Sequence, residues 1–313
     1  MARLLVKRIA FAIPMLFVVS FFSFVLVSLS PTDPAEAVLG PFATPEQIAE
    51  KREELNLNKP LVVQYQRWLT RAVRGDLGTG IGGGGPVTAQ LNARLPATVS
   101  LILAAMTLVL IGGVGLGVLS AVRGGVFGRL VGLLSVAGLA FPGFWVALLL
   151  TTMFSVKLRL FPSFGYVYLT DNPWQWLRSL VLPAIAVSLG GIATLAKQTR
   201  AAMLDSFSKD FVRVMQANGL SSRSVVYRHA LRNAAIPVVT VLGVVSVSLL
   251  GAAVVVENVF GYPGIGSLAA AATGTRDLPI VQGAVVYFTL IVIAVGILVD
   301  ASYSLLDPRV RIR

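Results

Sequence analysis

The sequence predicts an all-α, polytopic membrane protein, and two observations lead to that class. The 313 residues are 56% hydrophobic and only 13% charged, whereas a soluble domain carries roughly 25% charged residues. Six uncharged stretches reach or approach the length of about 20 residues that crosses a bilayer as a helix. We therefore expect a single transmembrane domain over residues 1–313, with six transmembrane helices.

The predicted domain begins with a first span in residues 1–30, followed by a long segment at 31–96. A five-helix core then occupies residues 97–306, and a short tail follows at 307–313. The six uncharged stretches are 9–30, 95–122, 130–156, 179–196, 234–256 and 279–299. Pro142 predicts a kink in the third span, and Pro183 one near the start of the fourth. Gly113 and Gly117 form a small-xxx-small pair, which we interpret as helix packing within the chain.

The distribution of Lys and Arg predicts that both termini are cytoplasmic. With the N-terminus inside, 15 of the 26 basic residues fall in inner segments, and seven of the others lie in segment 31–96 together with seven acids. Long segments translocate with little regard to charge, so the short loops decide the orientation. Segment 31–96 is therefore predicted to be extracytoplasmic.

Segment 31–96 has its own helix signals. Thr44 followed by Pro45 is typical of a helix start, and that helix should run to about Leu55. A second helix is expected over 61–74, with Tyr65, Trp68 and Leu69 resting on the membrane interface. The glycine run at 82–85 is interpreted as a flexible linker, because no phosphate-binding G-x-x-x-x-G-K-[ST] motif occurs in the sequence.

Composition excludes several chemistries. The chain has no cysteine and one histidine, His229, so disulfides, thiol nucleophiles and multi-histidine metal sites are ruled out. The net charge of +12 would suggest nucleic acid in a soluble protein, but here it is explained by basic cytoplasmic loops, and we expect no nucleic-acid partner. Asp300 is flanked by apolar sequence and is a functional candidate, or a structural hydrogen-bonding group near the cytoplasmic interface.

The polar, basic stretch at 203–237 interrupts the apolar sequence between the fourth and fifth spans. Phe207, Phe211, Val214 and Met215 repeat at helical spacing. Asn218-Gly219 should end that helix, and Ser221 or Ser222 can cap the next one. We expect a cytoplasmic hairpin of helices that docks a partner protein. The alternative is a solvated basic loop that obeys the inside-charge rule.

Several motifs now indicate a family. The sequences RVMQANG at 213–219 and RHALRNA at 228–234 resemble the EAA loop of ABC importer permeases, although Arg213, Val214 and Met215 stand where the family name has Glu-Ala-Ala. The chain is most similar to the peptide/nickel-type branch, in particular to the first permease of dipeptide and oligopeptide systems. The supporting motifs are GDLG at 75–78, RLPAT at 94–98, ENVFGYPGIG at 257–266, RDLPIVQG at 276–283, DASY at 300–303 and DPR at 307–309.

The resemblance implies a permease that does not itself hydrolyse ATP. Its expected partners are a second homologous permease, two ATP-binding ABC subunits that hold ATP and Mg, an extracytoplasmic substrate-binding protein and the lipid bilayer of a prokaryotic cytoplasmic membrane. ATP hydrolysis would drive alternating access for peptides. No cofactor is expected in this chain, which has no Walker motif of its own.

The resemblance also assigns residues to two roles. Coupling to the ATPase is expected of Phe211, Arg213, Ala217, Gly219, Leu220, Arg228, His229, Arg232 and Asn233. The substrate path, or docking of the binding protein, is expected of Glu257, Asn258, Arg276 and Asp277. Glu257 could instead be a helix-end residue bonded to backbone, and Arg276 could pair with Asp277.

Other functions stay open at this point. An ion-coupled secondary transporter or channel would carry acids within its spans or inverted repeats, and neither is evident. A membrane enzyme would need a nucleophile–base pair or a metal constellation, and none is recognisable. Permeases for nickel chelates or glutathione-like solutes are alternatives within the same branch.

Overall fold

The computed structural model describes residues 2–29, 33–40, 42–54, 57–275 and 277–306. Within them the chain is helical between its loops, with a single β-bridge that joins Thr79 to Pro86, as the all-α prediction requires. The helices are α1 Ala2–Ser28, α2 Pro34–Leu39, α3 Pro45–Glu54, α4 Leu61–Ala72, α5 Val87–Arg123, α6 Gly125–Ala140, α7 Gly143–Lys157, α8 Pro173–Ser208, α9 Asp210–Ala217, α10 Ser222–Val259, α11 Ile265–Thr275 and α12 Leu278–Leu306.

Five of the described helices are long and apolar enough to cross a membrane: α1, α5, α8, α10 and α12. The predicted third span is instead two shorter apolar helices, α6 and α7. Phe141 between them is extended, with φ −82° and ψ 124°. A residue that precedes proline is driven away from the helical region, so Pro142 produces a complete break where the sequence predicted a kink.

Two spans are longer than predicted. Helix α5 begins at Val87 and contains Pro96, whereas the uncharged stretch began only at residue 95. Helix α8 has 36 residues and passes through Pro183 without ending. At 1.5 Å per residue it is about 54 Å long, well beyond the roughly 30 Å of a hydrocarbon core.

The described chain divides into two compact units. Unit 1 comprises residues 99–262 and 294–306, and unit 2 comprises residues 2–98 and 263–293. Helices α5 and α12 contribute residues to both. The prediction of one transmembrane domain over the whole chain stays a prediction.

Unit 1 is built on α8, which packs against α5, α6, α7 and α10. The contact with α5 is unusually close. A Cβ at Gly113 would lie 2.7 Å from the Leu195 Cβ, and one at Gly117 would lie 2.5 Å from the Thr199 Cβ. Small residues permit such an approach between helices in lipid. The Gly113 and Gly117 pair therefore serves packing within the chain, as the sequence indicated.

Unit 2 has an aromatic core between α1 and α4. The Tyr65 ring makes edge contacts with the rings of Phe17, Phe21 and Phe24 and stacks on Trp68. Its hydroxyl lies 2.9 Å from the Ser20 hydroxyl. Tyr65 and Trp68 are buried against α1, and Leu69 packs partly buried on the same cluster. This burial against α1 was not predicted, and the expectation that these side chains rest on the membrane interface stays a prediction.

The glycine run at 82–85 is an ordered turn rather than a flexible linker. The amide of Val87 donates to the Gly78 carbonyl at 2.9 Å, which closes a short hairpin. Asp277 holds both this hairpin and α12, because its carboxylate accepts from the Gly82 amide at 3.1 Å and from the Ile280 amide at 3.2 Å.

Earlier in segment 31–96, Thr44 caps α3 as predicted, since its hydroxyl accepts from the Gln47 amide at 3.4 Å.

The close contact of α5 with α8 leads to a stability prediction. Gly117→Ala should lower the thermal midpoint of the detergent-solubilised protein, because overpacking costs about 1–3 kcal/mol. Gly115→Ala is the matched control, since a Cβ there meets nothing within 4 Å and alanine is favoured over glycine in helices by about 1 kcal/mol. Equal midpoints for the two variants would contradict the observed packing.

Candidate functional site

The polar stretch 203–237 forms two helical arms joined by a turn, which we call the hairpin. The first arm is the end of α8 followed by α9. Lys209 separates them, with an extended backbone at φ −75° and ψ 145°. The predicted single face from Phe207 to Met215 is therefore divided between two helices. Val212 is the buried residue of α9, while Val214 is 57% exposed.

The turn of the hairpin is a Schellman motif. Gly219 has φ +77°, a left-handed value that only glycine adopts at little cost. The Leu220 amide donates to the Met215 carbonyl at 3.1 Å, and the Gly219 amide donates to the Gln216 carbonyl at 3.0 Å. This is the 6→1 and 5→2 pair that ends a helix at a C′ glycine. The predicted stop at Asn218-Gly219 is confirmed.

The second arm begins at Ser221, whose hydroxyl accepts from the Ser224 amide at 3.4 Å. Residues Val225–Ala230 then form a π-helical turn, a rare conformation that is frequent at functional sites. After it, α10 continues through Pro237 without interruption. The arm that carries Arg228 and His229 is thus one continuous helix with the following membrane span.

Apolar residues fix the base of the hairpin. Met203 and Ala230 are fully buried and face residues of α5 in one cluster. The buried members are Val118, Ala121, Ala202, Met203, Ala230 and Ala234, with Phe207, Val226 and Leu231 packed against them. Both arms are therefore anchored in the helices of unit 1 rather than standing free in solvent.

A polar contact joins the two arms beside this cluster. The Lys209 ammonium donates to the Asn233 amide oxygen at 3.0 Å and pairs with the Asp205 carboxylate at 3.1 Å. The Ser206 hydroxyl also donates to Asn233, at 3.4 Å. Asn233 was expected to contact the ATPase, but here its side-chain oxygen accepts hydrogen bonds from the other arm of the hairpin. The extended residue Lys209 is thus held in place from the opposite arm.

The surface of the hairpin combines apolar and basic groups. Val214 and Tyr227 are 57% and 59% exposed, and Leu220 is also exposed. Arg223 lies on the same exposed hairpin. Of the nine residues expected to couple to the ATPase, Phe211 and His229 are half-buried, and the others are exposed: Arg213, Ala217, Gly219, Leu220, Arg228, Arg232 and Asn233. The hairpin thus exposes apolar side chains and arginines, together with Asp210, whose carboxylate lies 3.7 Å from the Arg213 guanidinium.

In the second set of expected site residues, Glu257 and Asp277 are buried and Asn258 is exposed. Glu257 is 1% exposed, and its backbone carbonyl accepts from the Tyr262 amide at 2.7 Å. Asp277 is 3% exposed and is occupied by the two amides described above. Asn258 is exposed, and its amide nitrogen donates to the Val254 carbonyl at 2.8 Å. Arg276 lies outside the described residues.

An aromatic cluster near Glu257 was missed by sequence reasoning. The Tyr262 ring lies 5.0 Å from the Tyr166 ring, and the Tyr166 hydroxyl lies 3.1 Å from that of Ser100. The amide of Gly165 donates to the Phe260 carbonyl at 3.0 Å. Burial raises the pKa of the Tyr262 phenol well above its ordinary value. Sequence offered no signal for this cluster, because its members come from three separate segments.

Asp300 is half-buried. Tyr303, one turn later, donates its hydroxyl to Thr240 at 2.7 Å. Among the described residues no group of three or more His, Asp or Glu is arranged to hold a metal ion.

Family models match almost the whole chain. The model for binding-protein-dependent transport system inner membrane components matches residues 113–312, and the model for the N-terminal part of such components matches residues 1–102. The chain belongs to this family. It is therefore a multi-pass component of an inner membrane transport system, and its resemblance to peptide-type ABC importer permeases is confirmed.

Individual relatives agree with the family match. The permease is 41% identical over 312 residues to a putative peptide transport system permease protein of Brucella abortus, with 99% of each chain covered. It is 36% identical over 312 residues to the glutathione transport system permease protein GsiC of Escherichia coli O6:H1, again with 99% of each covered.

A solved structure supports the fold alone. A chain of the MetNI methionine ABC transporter, in inward-facing conformations, superposes on the permease with a TM-score of 0.54 at 14% identity. The match covers 69% of the permease and 96% of that chain.

The turn of the hairpin leads to a second prediction. Gly219→Ala should destabilise the end of α9, because a left-handed backbone costs a residue with a Cβ roughly 1–2 kcal/mol. Gly219→Asn should cost less, since asparagine visits this conformation more readily. Hydrogen exchange of the amides at 210–220 measures the effect. If the alanine variant exchanges no faster than the asparagine variant, the left-handed turn is not what holds the hairpin.

Proposed function

We propose that the chain is the membrane-spanning permease subunit of an ATP-driven importer. With a second, homologous permease it forms a translocation path for peptides delivered by an extracytoplasmic binding protein. Two ATP-binding subunits bind the cytoplasmic side and drive alternating access. The chain itself does not hydrolyse ATP. Family membership supports the transport role, and the hairpin supports the coupling role.

The observation that carries the proposal is the construction of the hairpin. Its two arms are anchored at a buried base, and Val214, Leu220, Tyr227 and four arginines are exposed on it, which leaves these side chains available to a partner. Both arms continue into long helices, α8 and α10. A displacement of the docked ATPase would therefore act directly on two membrane spans.

We further propose the predicted six-span arrangement, with α6 and α7 together making one crossing and both termini cytoplasmic. The break at Phe141 and Pro142 leaves two short apolar helices. Each falls short of the roughly 20 residues that cross a bilayer as one helix. Successive spans cross the membrane in alternating directions, so one crossing is needed between α5 and α8. Together α6 and α7 supply it.

On the opposite side of the membrane, we propose that Asn258 faces the substrate path or the binding protein. Its side chain is exposed, and it follows directly on Glu257. Glu257 is buried in the same helical turn. Asp277 has a structural role in unit 2, where it holds the glycine hairpin.

Docking of the ATPase can be tested at the exposed apolar groups. The double variant Val214→Glu, Leu220→Glu should reduce the amount of ATP-binding subunit that co-purifies with the tagged chain by at least about tenfold, because it places charge in an apolar contact. Val73→Glu is the control, since Val73 is 80% exposed and lies in the segment after α4. Undiminished co-purification of the double variant would refute docking at this surface.

Two substrate classes are candidates for this permease. Relatives of the chain are named for peptide and for glutathione transport. Glutathione is itself a small peptide, so it is the second candidate.

Reconstituted transport distinguishes these substrates. When the chain is reconstituted with its partner permease, ATPases and binding protein, we expect ATP-dependent uptake of a labelled dipeptide. Excess unlabelled peptide should inhibit this uptake, and glutathione should not. Competition by glutathione alone would favour the second candidate. Uptake that persists without ATP and requires an ion gradient would overturn the importer proposal.

A further inference from the structure

The segment that joins α7 to α8, residues 158–172, exposes large apolar side chains although it contains no helix or strand. We call it the α7–α8 loop. Phe164 is 70% exposed, and Leu169 is also exposed. In the first turn of α8, directly after the loop, Trp174 is 67% exposed. Clustered apolar groups on a surface mark a contact with a protein or a membrane, and the proposed transport role does not account for these.

Hydrogen bonds hold both ends of the α7–α8 loop. The Leu160 amide donates to the Phe154 carbonyl at 2.9 Å. The Ser155 hydroxyl donates to the Pro162 carbonyl at 3.2 Å, so the start of the loop folds back on α7. At the other end, Asn172 caps α8 through its side-chain oxygen. The exposed apolar groups therefore belong to a surface that the fold maintains.

Two tryptophans at the start of α8 have different surroundings. Trp176 is half-buried, and its indole N–H donates to the Ser100 hydroxyl at 3.4 Å. Trp174 is exposed, and no hydrogen bond joins its indole N–H to any described residue. A large apolar ring with one polar N–H is favoured at the boundary between membrane and water. Trp174 is thus available to lipid, whereas Trp176 contributes to the fold.

The distribution of charge along α8 indicates the level of Trp174 in a bilayer. The uncharged part of α8 begins at Ser179, directly after Arg178, and a charged side chain is costly inside the hydrocarbon core. Trp174 precedes Ser179 by five residues, or about 7 Å of helix. The headgroup layer on each side of a bilayer is about 5–7 Å thick. A helix that enters the hydrocarbon core at Ser179 therefore places Trp174 at headgroup level.

Two further observations favour lipid over a soluble partner. The exposure of apolar side chains continues from the loop onto the apolar helix α7, where Met153 and Val156 are exposed. Residues 157–178 carry three basic residues and one acid, and net positive charge beside a membrane is attracted to anionic phospholipids. The surface thus combines the apolar and the basic groups that a phospholipid layer accepts together.

We propose that the α7–α8 loop and Trp174 lie in the headgroup layer of the leaflet at the N-terminal end of α8. In this position Phe164, Leu169 and Trp174 contact phospholipid. The loop is then a membrane-surface element rather than a free connection in water. This proposal requires that α8 spans the membrane, and it does not depend on coupling to ATP.

The α7–α8 loop also connects this lipid contact to other helices of unit 1. The Gly165 amide donates at 3.0 Å to the carbonyl of Phe260, which follows α10 directly. The Tyr166 hydroxyl lies 3.1 Å from that of Ser100 in α5. Contact of the loop with the headgroup layer therefore fixes the end of α10 relative to the membrane surface.

Tryptophan fluorescence of the full-length chain in phosphatidylcholine–phosphatidylglycerol vesicles tests the proposal. The difference in emission between the unaltered chain and Trp174→Phe gives the Trp174 component. We expect lipid brominated close to the headgroup to quench this component at least about twofold more than lipid brominated near the bilayer centre, because interfacial rings sit at headgroup level. Trp176→Phe is the matched control. The Trp176 component should be quenched less than the Trp174 component by either lipid, since its ring is half-buried.

A Trp174 component that aqueous acrylamide quenches and neither brominated lipid quenches would overturn the proposal in favour of a soluble partner. Stronger quenching from the bilayer centre would overturn the headgroup placement. So would equal quenching of the two tryptophan components. Loss of the quenching when the partner permease is reconstituted with the chain would assign the surface to an interface between permeases. Trp174→Tyr supplies the same difference if the phenylalanine variant fails to fold. No ATPase or peptide enters the measurement, so its failure leaves the importer proposal untouched.

Discussion

The structure of unit 1 depends on the close approach of α5 to α8. In lipid no hydrophobic force holds two apolar helices together, so association relies on van der Waals packing and on small residues that let backbones approach. Gly113 and Gly117 of α5 meet Leu195 and Thr199 of α8 without room for a Cβ. Because α8 also contacts α6, α7 and α10, the contact between α5 and α8 fixes the position of the helix on which the unit is built.

The hairpin inherits its rigidity from that arrangement. Its first arm is the end of α8 followed by α9, and its second arm is the start of α10. The buried base that includes Met203 and Ala230 joins both arms to α5, and the contact of Lys209 with Asn233 joins them to each other. In the proposed importer, a force applied at the exposed surface would therefore move helices as bodies rather than bend a loop.

Local chemistry in the sequence was sufficient to predict two helix ends, whereas long-range packing was not predictable. Capping by Thr44 and the glycine stop at Gly219 depend on neighbouring residues alone, and both were predicted. The burial of Tyr65 depends on α1, some 45 residues away, and was missed. Phe141 shows an intermediate case: proline chemistry indicated a distortion, but whether the helix bends or breaks depends on the surrounding packing.

The motifs that indicated the family prove to be mostly backbone-shaping residues. Asp277 binds two amides, Gln282 donates to a carbonyl of α1, and Gly219 supplies a left-handed turn. A resemblance that rests on such residues identifies a fold and its coupling element, because those are what the side chains maintain. It carries little information about the transported solute. In the proposed importer, substrate choice is therefore expected to reside largely in the binding protein, with this chain supplying a path and its coupling to ATP.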